Sequence, residues 1–137
     1  MVQKLAWVFG IIFIVVGVLG FVPAATTGGM LLGIFMVDTM HNIVHLLSGI
    51  VAIGAAMGSA AYARLYFKVF GVVYALVAVL GLAMGGSVLG MMMNMSDNLL
   101  HVVIAAAALW IGFGMKESSS APMPAMAASP SSSGMSM

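Results

Sequence analysis

The sequence predicts an all-α integral membrane protein, a four-helix bundle built from two helix hairpins that are parallel repeats of each other. Its 137 residues are 64% hydrophobic and only 5% charged, whereas charged residues make up about a quarter of a typical soluble domain. Four apolar segments approach the length of about 20 residues that a helix needs to cross a bilayer. The two halves of the chain also match each other. The lipid bilayer is therefore the first partner that we expect.

The four predicted spans cover residues 5–22, 39–60, 65–84 and 97–115. Lys4, the apolar run after it and the sequence PAA also resemble a cleaved signal peptide. The length of this run and its counterpart in the second half favour a retained span. The transmembrane bundle thus occupies residues 1–116. Residues 117–137 are rich in Ser, Pro, Ala and Met and lack a periodic apolar face, which predicts a disordered cytoplasmic tail.

An internal repeat supports the two-hairpin arrangement. The segment FGIIFIVVGVLGF, residues 9–21, aligns without gaps on FGVVYALVAVLGL, residues 70–82, and six of the thirteen positions are identical. An Asn-x-x-His motif recurs in the second predicted helix of each half, at Asn42 and His45 and again at Asn98 and His101. Two hairpins of one topology are parallel repeats, related by a pseudo-twofold axis along the membrane normal.

Basic residues indicate the orientation. All four fall at one end of the predicted bundle: Lys4, Arg64, Lys68 and Lys116. Because cytoplasmic loops carry an excess of Lys and Arg, we expect a multi-pass protein of the cell inner membrane with cytoplasmic N and C termini. The polar motifs then lie near the outer face.

Eight polar residues form a candidate site in the second and fourth helices. They are Asp38, His41, Asn42 and His45, and then Asn94, Asp97, Asn98 and His101. Within each set the spacing places all four on one helical face. Ionisable residues within spans usually face the bundle interior, because exposure to lipid costs a few kcal/mol or more. We therefore expect the two polar faces to look at each other.

The same stretches resemble a known family. HNIVHLLSG and DNLLHVV, with the LGFVP ending of the first span and GVVY in the third, are similar to an uncharacterised bacterial family of four-helix membrane proteins, domain of unknown function 4383. The similarity covers residues 5–115 and leaves the tail outside. It implies the fold and topology but no activity.

One interpretation of the polar residues is structural. Asp38 and Ser96 can cap helix starts, and Asn42 and Asn98 can brace the second helix against the fourth. The protein is then a scaffold or an accessory subunit, acting as a homo-oligomer or within a larger membrane complex. A different interpretation is proton-coupled transport or pH sensing by the His and Asp residues.

A third interpretation is a metal or haem site. His41, His45 and His101 can bind copper or zinc, and His45 and His101 can supply two axial ligands to haem b. Thioethers suit Cu(I), and eight methionines lie on the same side of the predicted bundle: Met30, Met36, Met40, Met84, Met91, Met92, Met93 and Met95.

Composition excludes several other functions. A net charge of +1 without a basic cluster argues against nucleic-acid binding. The absence of cysteine excludes disulfides, thiolate metal sites and covalently attached haem. No nucleophile or phosphate-binding motif is recognisable, so we expect no enzymatic activity.

Overall fold

The computed structural model describes residues 1–115, which form an all-α bundle of four helices and confirm the predicted fold class. The helices are α1 (Val2–Leu19), α2 (Thr39–Gly58), α3 (Ala60–Met84) and α4 (Met95–Leu109), and α4 continues as a π-helical turn, Trp110–Gly114. Each helix, with that turn included, is long and apolar enough to cross a membrane. The predicted tail, residues 117–137, lies outside the described residues.

The connection between α2 and α3 is shorter than predicted. Only Ser59 separates the two helices, and its Oγ accepts a hydrogen bond of 3.2 Å from the Tyr62 N–H. A serine in this position satisfies a backbone donor that the first turn leaves unpaired. Arg64 therefore lies within α3 rather than in a loop, and its guanidinium donates to the Met115 carbonyl over 2.6 Å.

Short strands join the helices at the other end. After a 3-10 turn at Pro23–Ala25, the strands β1 (Thr26–Thr27), β2 (Met30–Leu31) and β3 (Phe35–Met36) form an antiparallel sheet, and β4 (Ser87–Val88) pairs with β5 (Met91–Met92). Two-residue strands have no hydropathy period, so the sequence did not predict them. We call this end of the bundle, where the short β-strands lie, the hairpin end, whereas the two hairpins are the helix pairs α1–α2 and α3–α4. The opposite end, which holds Lys4, Arg64 and Lys68, is the basic end.

Glycines allow the helices of each hairpin to pack closely. A Cβ at Gly49 of α2 would lie 2.7 Å from the Gly10 carbonyl oxygen of α1, and a Cβ at Gly10 would lie 2.9 Å from the Gly49 oxygen. In the second hairpin, a Cβ at Gly71 would lie 2.9 Å from the Leu109 nitrogen. Small residues at such positions let helix backbones approach each other. The α1–α2 and α3–α4 pairs are consequently the tight ones, and the two hairpins meet each other more loosely.

Aromatic side chains fill the space between the hairpins. The Phe13 ring of α1 packs edge-on against Phe70 and Tyr74 of α3, with centroid distances of 5.3 and 5.6 Å. All three side chains are buried. Aromatic pairs in this geometry contribute about 0.5–1.5 kcal/mol beyond the area they bury. The middle of the bundle is therefore apolar, and the buried polar side chains lie toward the hairpin end.

The glycine contact predicts a position-specific effect on stability. Gly49→Ala should lower the free energy of unfolding by about 1–3 kcal/mol, because its Cβ meets backbone that cannot move aside. The matched control is Gly54→Ala in the same helix, where a Cβ meets nothing within 4 Å and the higher helix propensity of Ala favours folding by up to about 1 kcal/mol. Denaturant unfolding in mild detergent measures both. Equal effects of the two substitutions would contradict this packing.

Candidate metal centre

Asp38 sets the start of α2 and so the positions of two histidines. Its Oδ1 accepts a 2.9 Å hydrogen bond from the His41 N–H and caps the helix, as expected. His45 follows one turn later on the same side of α2. Both imidazoles are buried, so a helix that starts here turns both rings away from lipid.

A reciprocal cap starts α4. Asn94 Oδ1 accepts from the Asp97 N–H over 3.0 Å, and Asp97 Oδ2 accepts from the Asn94 N–H over 2.8 Å. Two backbone donors are thereby satisfied at once, as in a capping box. The expectation that Ser96 caps this helix is wrong, because Asn94 stands one residue before α4 and Ser96 lies inside its first turn. His101 follows one turn after Asp97 and is buried.

The two asparagines act within the hairpins rather than between them. Asn42 Oδ1 lies against Gly20 at the end of α1, and Asn98 Oδ1 lies against Gly81 of α3, so that a Cβ at either glycine would collide with the amide. Both oxygens are buried without a hydrogen-bond partner in the described residues, so the expected brace between α2 and α4 is not formed by them. Each amide instead packs against a glycine of the other helix in its own hairpin.

His41, His45 and His101 come together in the bundle interior toward the hairpin end, and we call them the histidine cluster. One nitrogen from each ring lies within 4.8 Å of those of the other two. The ring centroids are 4.6, 5.8 and 6.5 Å apart, and each residue is 8% exposed or less. Histidines from α2 and α4 thus converge between the hairpins on a volume small enough for one ion.

Aromatic residues hold two of the imidazoles in place. Phe13 packs edge-on against His45 at a centroid distance of 5.4 Å, and Tyr74 packs edge-on against His101 at 5.2 Å. The spacing analysis of the polar residues did not single out either aromatic residue. Tyr74 lies in GVVY and Phe13 lies at the matching position of the aligned segment in α1. Their contact with the motif helices is visible only once the helices are packed.

The cluster also contains unpaired polar atoms. Within the part of the chain that the structure describes, Nδ1 of all three histidines is buried without a hydrogen-bond partner. Most buried polar side-chain atoms in proteins have a partner, and an unpaired one costs about 1–3 kcal/mol. Three unpaired Nδ1 atoms in one cluster therefore need a physical explanation.

Two cavities reach the histidine cluster from opposite sides. The α2–α3 cavity measures about 780 Å³ and runs from the cluster past Ser48 to Tyr62. The α1–α4 cavity measures about 290 Å³ and is lined at the hairpin end by Phe35 and Met36. All three histidines line both cavities. The loose packing between the hairpins therefore leaves a cavity on each of two sides of the histidine cluster.

Hydrogen bonds between the hairpins close the bundle above the cluster. Asp38 Oδ2 accepts from the Met92 N–H over 2.6 Å, and Asp97 Oδ2 accepts from the Met36 N–H over 3.0 Å. Asn94 Nδ2 donates to the Ile34 carbonyl over 2.7 Å. Each hairpin thus contributes a capping side chain that also binds a strand of the other hairpin.

The Asp38 carboxylate keeps its charge in this setting. Burial raises the pKa of Asp38, but hydrogen bonds from the backbone N–H groups of His41 and Met92 outweigh burial and hold the pKa below its usual value. A fixed negative charge consequently lies one helical turn from the histidine cluster.

The fold and the site define a class: an all-α, four-helix protein of membrane-spanning composition with buried histidines between two hairpins. The chain belongs to the family described as Domain of unknown function (DUF4383), which matches residues 3–114 and confirms the family that the sequence motifs resemble. No curated protein and no solved structure shows significant similarity to it.

The double role of Asp38 predicts a large effect of its removal. Asp38→Ala should lower the free energy of unfolding by roughly 2–3 kcal/mol, because it removes a helix cap and also the bond that the carboxylate accepts from the Met92 N–H, and a hydrogen bond to a charged group contributes about 1.5–3 kcal/mol. Ser59→Ala is the matched control, since Ser59 also caps a helix but makes only that local bond, and should lose about 1 kcal/mol. Thermal and denaturant unfolding in detergent compare the two. A loss at Asp38 no larger than at Ser59 would exclude the contact between hairpins.

Proposed function

We propose that this protein binds one transition-metal ion, zinc or copper, at the histidine cluster of a multi-pass membrane bundle. One observation carries the proposal: three buried imidazoles each place one nitrogen within 4.8 Å of the others, and each retains an unpaired Nδ1. Imidazole nitrogen is a preferred ligand of both metals.

The ligand spacing supports a metal in this position. His41 and His45 stand four residues apart on one helix, the spacing with which paired histidines bind zinc in other proteins, and His101 comes from a second helix. Three protein ligands leave the fourth tetrahedral position open. Zinc–nitrogen bonds of about 2.0–2.1 Å require the rings to close in by roughly 1 Å, a movement that rotation about side-chain bonds supplies.

A purely structural role explains less of the site. Histidines that hold helices together do so through hydrogen bonds, and the three Nδ1 atoms form none within the described residues. A bound cation would pair with ring nitrogens that otherwise lose their hydration without compensation. The Asp38 carboxylate would offset part of the positive charge that the ion brings into an apolar region.

The cluster fits a single ion better than haem. A porphyrin coordinated by His45 and His101 needs a clear plane between the two rings. The His41 ring has its centroid 4.6 Å from one and 5.8 Å from the other, and so stands in the space that the macrocycle would fill.

Proton-coupled transport has less support, because the bundle lacks a continuous polar route in the described residues. Below the histidine cluster the interior holds Phe67, Phe70 and Tyr74, all buried, and the α2–α3 cavity that runs toward Tyr62 is lined mostly by apolar residues. A relay of protons needs ionisable groups or water along the way.

We propose a location in the cell inner membrane with both termini in the cytoplasm. Lys4, Arg64 and Lys68 lie at the basic end, which the positive-inside bias assigns to the cytoplasm. Trp7 and Trp110 are exposed toward the same end, where aromatic residues favour the membrane–water interface. The metal site would then lie toward the outer surface.

We also propose that the two hairpins are repeats of one ancestral unit. Gly20 and Gly81 occupy matching positions in the aligned helices, and each receives the amide oxygen of the matching Asn42 or Asn98. Because the same residue types make the same contact in both halves, this match supports duplication more strongly than the similarity of apolar segments does.

The metal proposal predicts a ligand-dependent gain in stability. Zinc or copper at about 100 times its Kd should stabilise the detergent-purified protein by roughly 2.7 kcal/mol. His45→Ala and His101→Ala should each remove nearly all of this gain, and the double variant should remove little more, because a site without one ligand binds poorly. Thermal unfolding with and without a chelator, together with metal analysis, measures the gain.

The matched control is Met40→Leu, an exposed residue beside the cluster, which should keep the full gain. If metal does not stabilise the wild-type protein, or if both histidine variants retain the gain, the site does not bind metal. Additive losses that a chelator leaves unchanged would establish the structural role instead.

The orientation is tested by labelling single cysteines, since the chain has none of its own. Thr27→Cys, in exposed β1 at the hairpin end, should react with an impermeant maleimide in intact bacterial cells. Ser118→Cys should react only after the membrane is permeabilised. Reaction of both from outside would contradict four spans with cytoplasmic termini.

A further inference from the structure

We propose that the Met91 thioether is the fourth ligand of the histidine cluster, so that the site prefers Cu(I) to Zn(II). This inference rests on the proposed metal site and adds the ligand that selects the metal. Thioether sulfur is a soft ligand that suits Cu(I), whereas imidazole alone serves copper and zinc alike.

A chain of contacts places Met91 beside the cluster. The two oxygens of Asp38 bind different elements: Oδ1 accepts from the His41 N–H and Oδ2 from the Met92 N–H. Strand β5 is therefore held over the first turn of α2. Met91, the residue before Met92, lines the α2–α3 cavity together with His41 and His101 and is only 7% exposed.

The turn between β4 and β5 fixes which methionine faces the cavity. Leu89 and Gly90 between β4 and β5 both have positive φ, 52° and 83°, the combination found in tight two-residue hairpin turns. This register pairs Met91 with Val88, and both side chains are buried. A left-handed conformation at Leu89 costs roughly 1–2 kcal/mol, so the surrounding contacts must stabilise the turn that points Met91 inward.

Strand alternation separates Met91 from its neighbours. Met92 points to the opposite face and is 51% exposed. Met93 is buried but lines neither cavity at the histidine cluster. Met36 lines the α1–α4 cavity on the far side of the cluster and is more exposed than Met91. Of the methionines expected near the site, Met91 combines burial with a place on the wall of the cavity that the three histidines line.

The test compares the affinities of Cu(I) and Zn(II) in the full-length protein in detergent. Cu(I) is delivered anaerobically in competition with a chromophoric Cu(I) chelator, and Zn(II) in competition with a zinc chelator. Met91→Leu conserves volume and should fold. It should weaken Cu(I) binding by roughly 10–100-fold and leave Zn(II) binding within about threefold of wild type, and the retained Zn(II) binding shows that the fold is intact. Met92→Leu should change neither affinity.

Distinct outcomes separate this inference from the proposed function. Unchanged Cu(I) affinity in Met91→Leu, an equal loss for both metals, or a Cu(I) loss in Met36→Leu instead would overturn the role of Met91 while the three-histidine site stands. Failure of the wild-type protein to bind either metal would overturn the site and this inference together.

Discussion

The close contact between each asparagine and a glycine of the neighbouring helix is the constraint on which the site depends. Asn42 can reach Gly20, and Asn98 can reach Gly81, only because those positions lack a side chain. Successive residues of a helix differ by about 100° around its axis. Once Asn42 faces α1, His41 and His45, one and three positions away from it, are turned into the bundle interior, and His101, three positions after Asn98, is turned inward by the same rule on α4.

The helix caps convert this arrangement into a closed end. Asp38 and Asp97 each accept a backbone hydrogen bond at the start of their own helix and another from a strand of the opposite hairpin. The loosely packed hairpins are thereby tied together where the imidazoles are. Toward the basic end, packing among aromatic rings holds them instead. The α2–α3 and α1–α4 cavities lie between these two regions. The contacts that stabilise the bundle therefore leave the histidine cluster open to both cavities.

Much of the fold could be predicted from the sequence because the length of an apolar segment and the spacing of polar residues along a helix are local properties of the chain. The four helices follow from hydropathy, and the inward position of His41, His45 and His101 follows from their spacing. The capping role of Asn94 was missed because Ser96 is an equally good cap by type, and only the chain path decides between them. Arg64 was assigned to a loop because nothing in its surroundings signals that Ser59 alone can turn the chain. Met91 was one of eight methionines, and a two-residue strand carries no period that marks its inward face.

The proposed site holds one metal ion by three imidazoles, and X-ray absorption at the metal edge measures those ligands directly. For zinc-loaded protein in detergent, this site predicts nitrogen neighbours at about 2.0–2.1 Å with the outer-shell scattering of three imidazole rings, and the loss of one ring in His101→Ala. A coordination shell of oxygen alone, or an imidazole count that His101→Ala leaves unchanged, would contradict it.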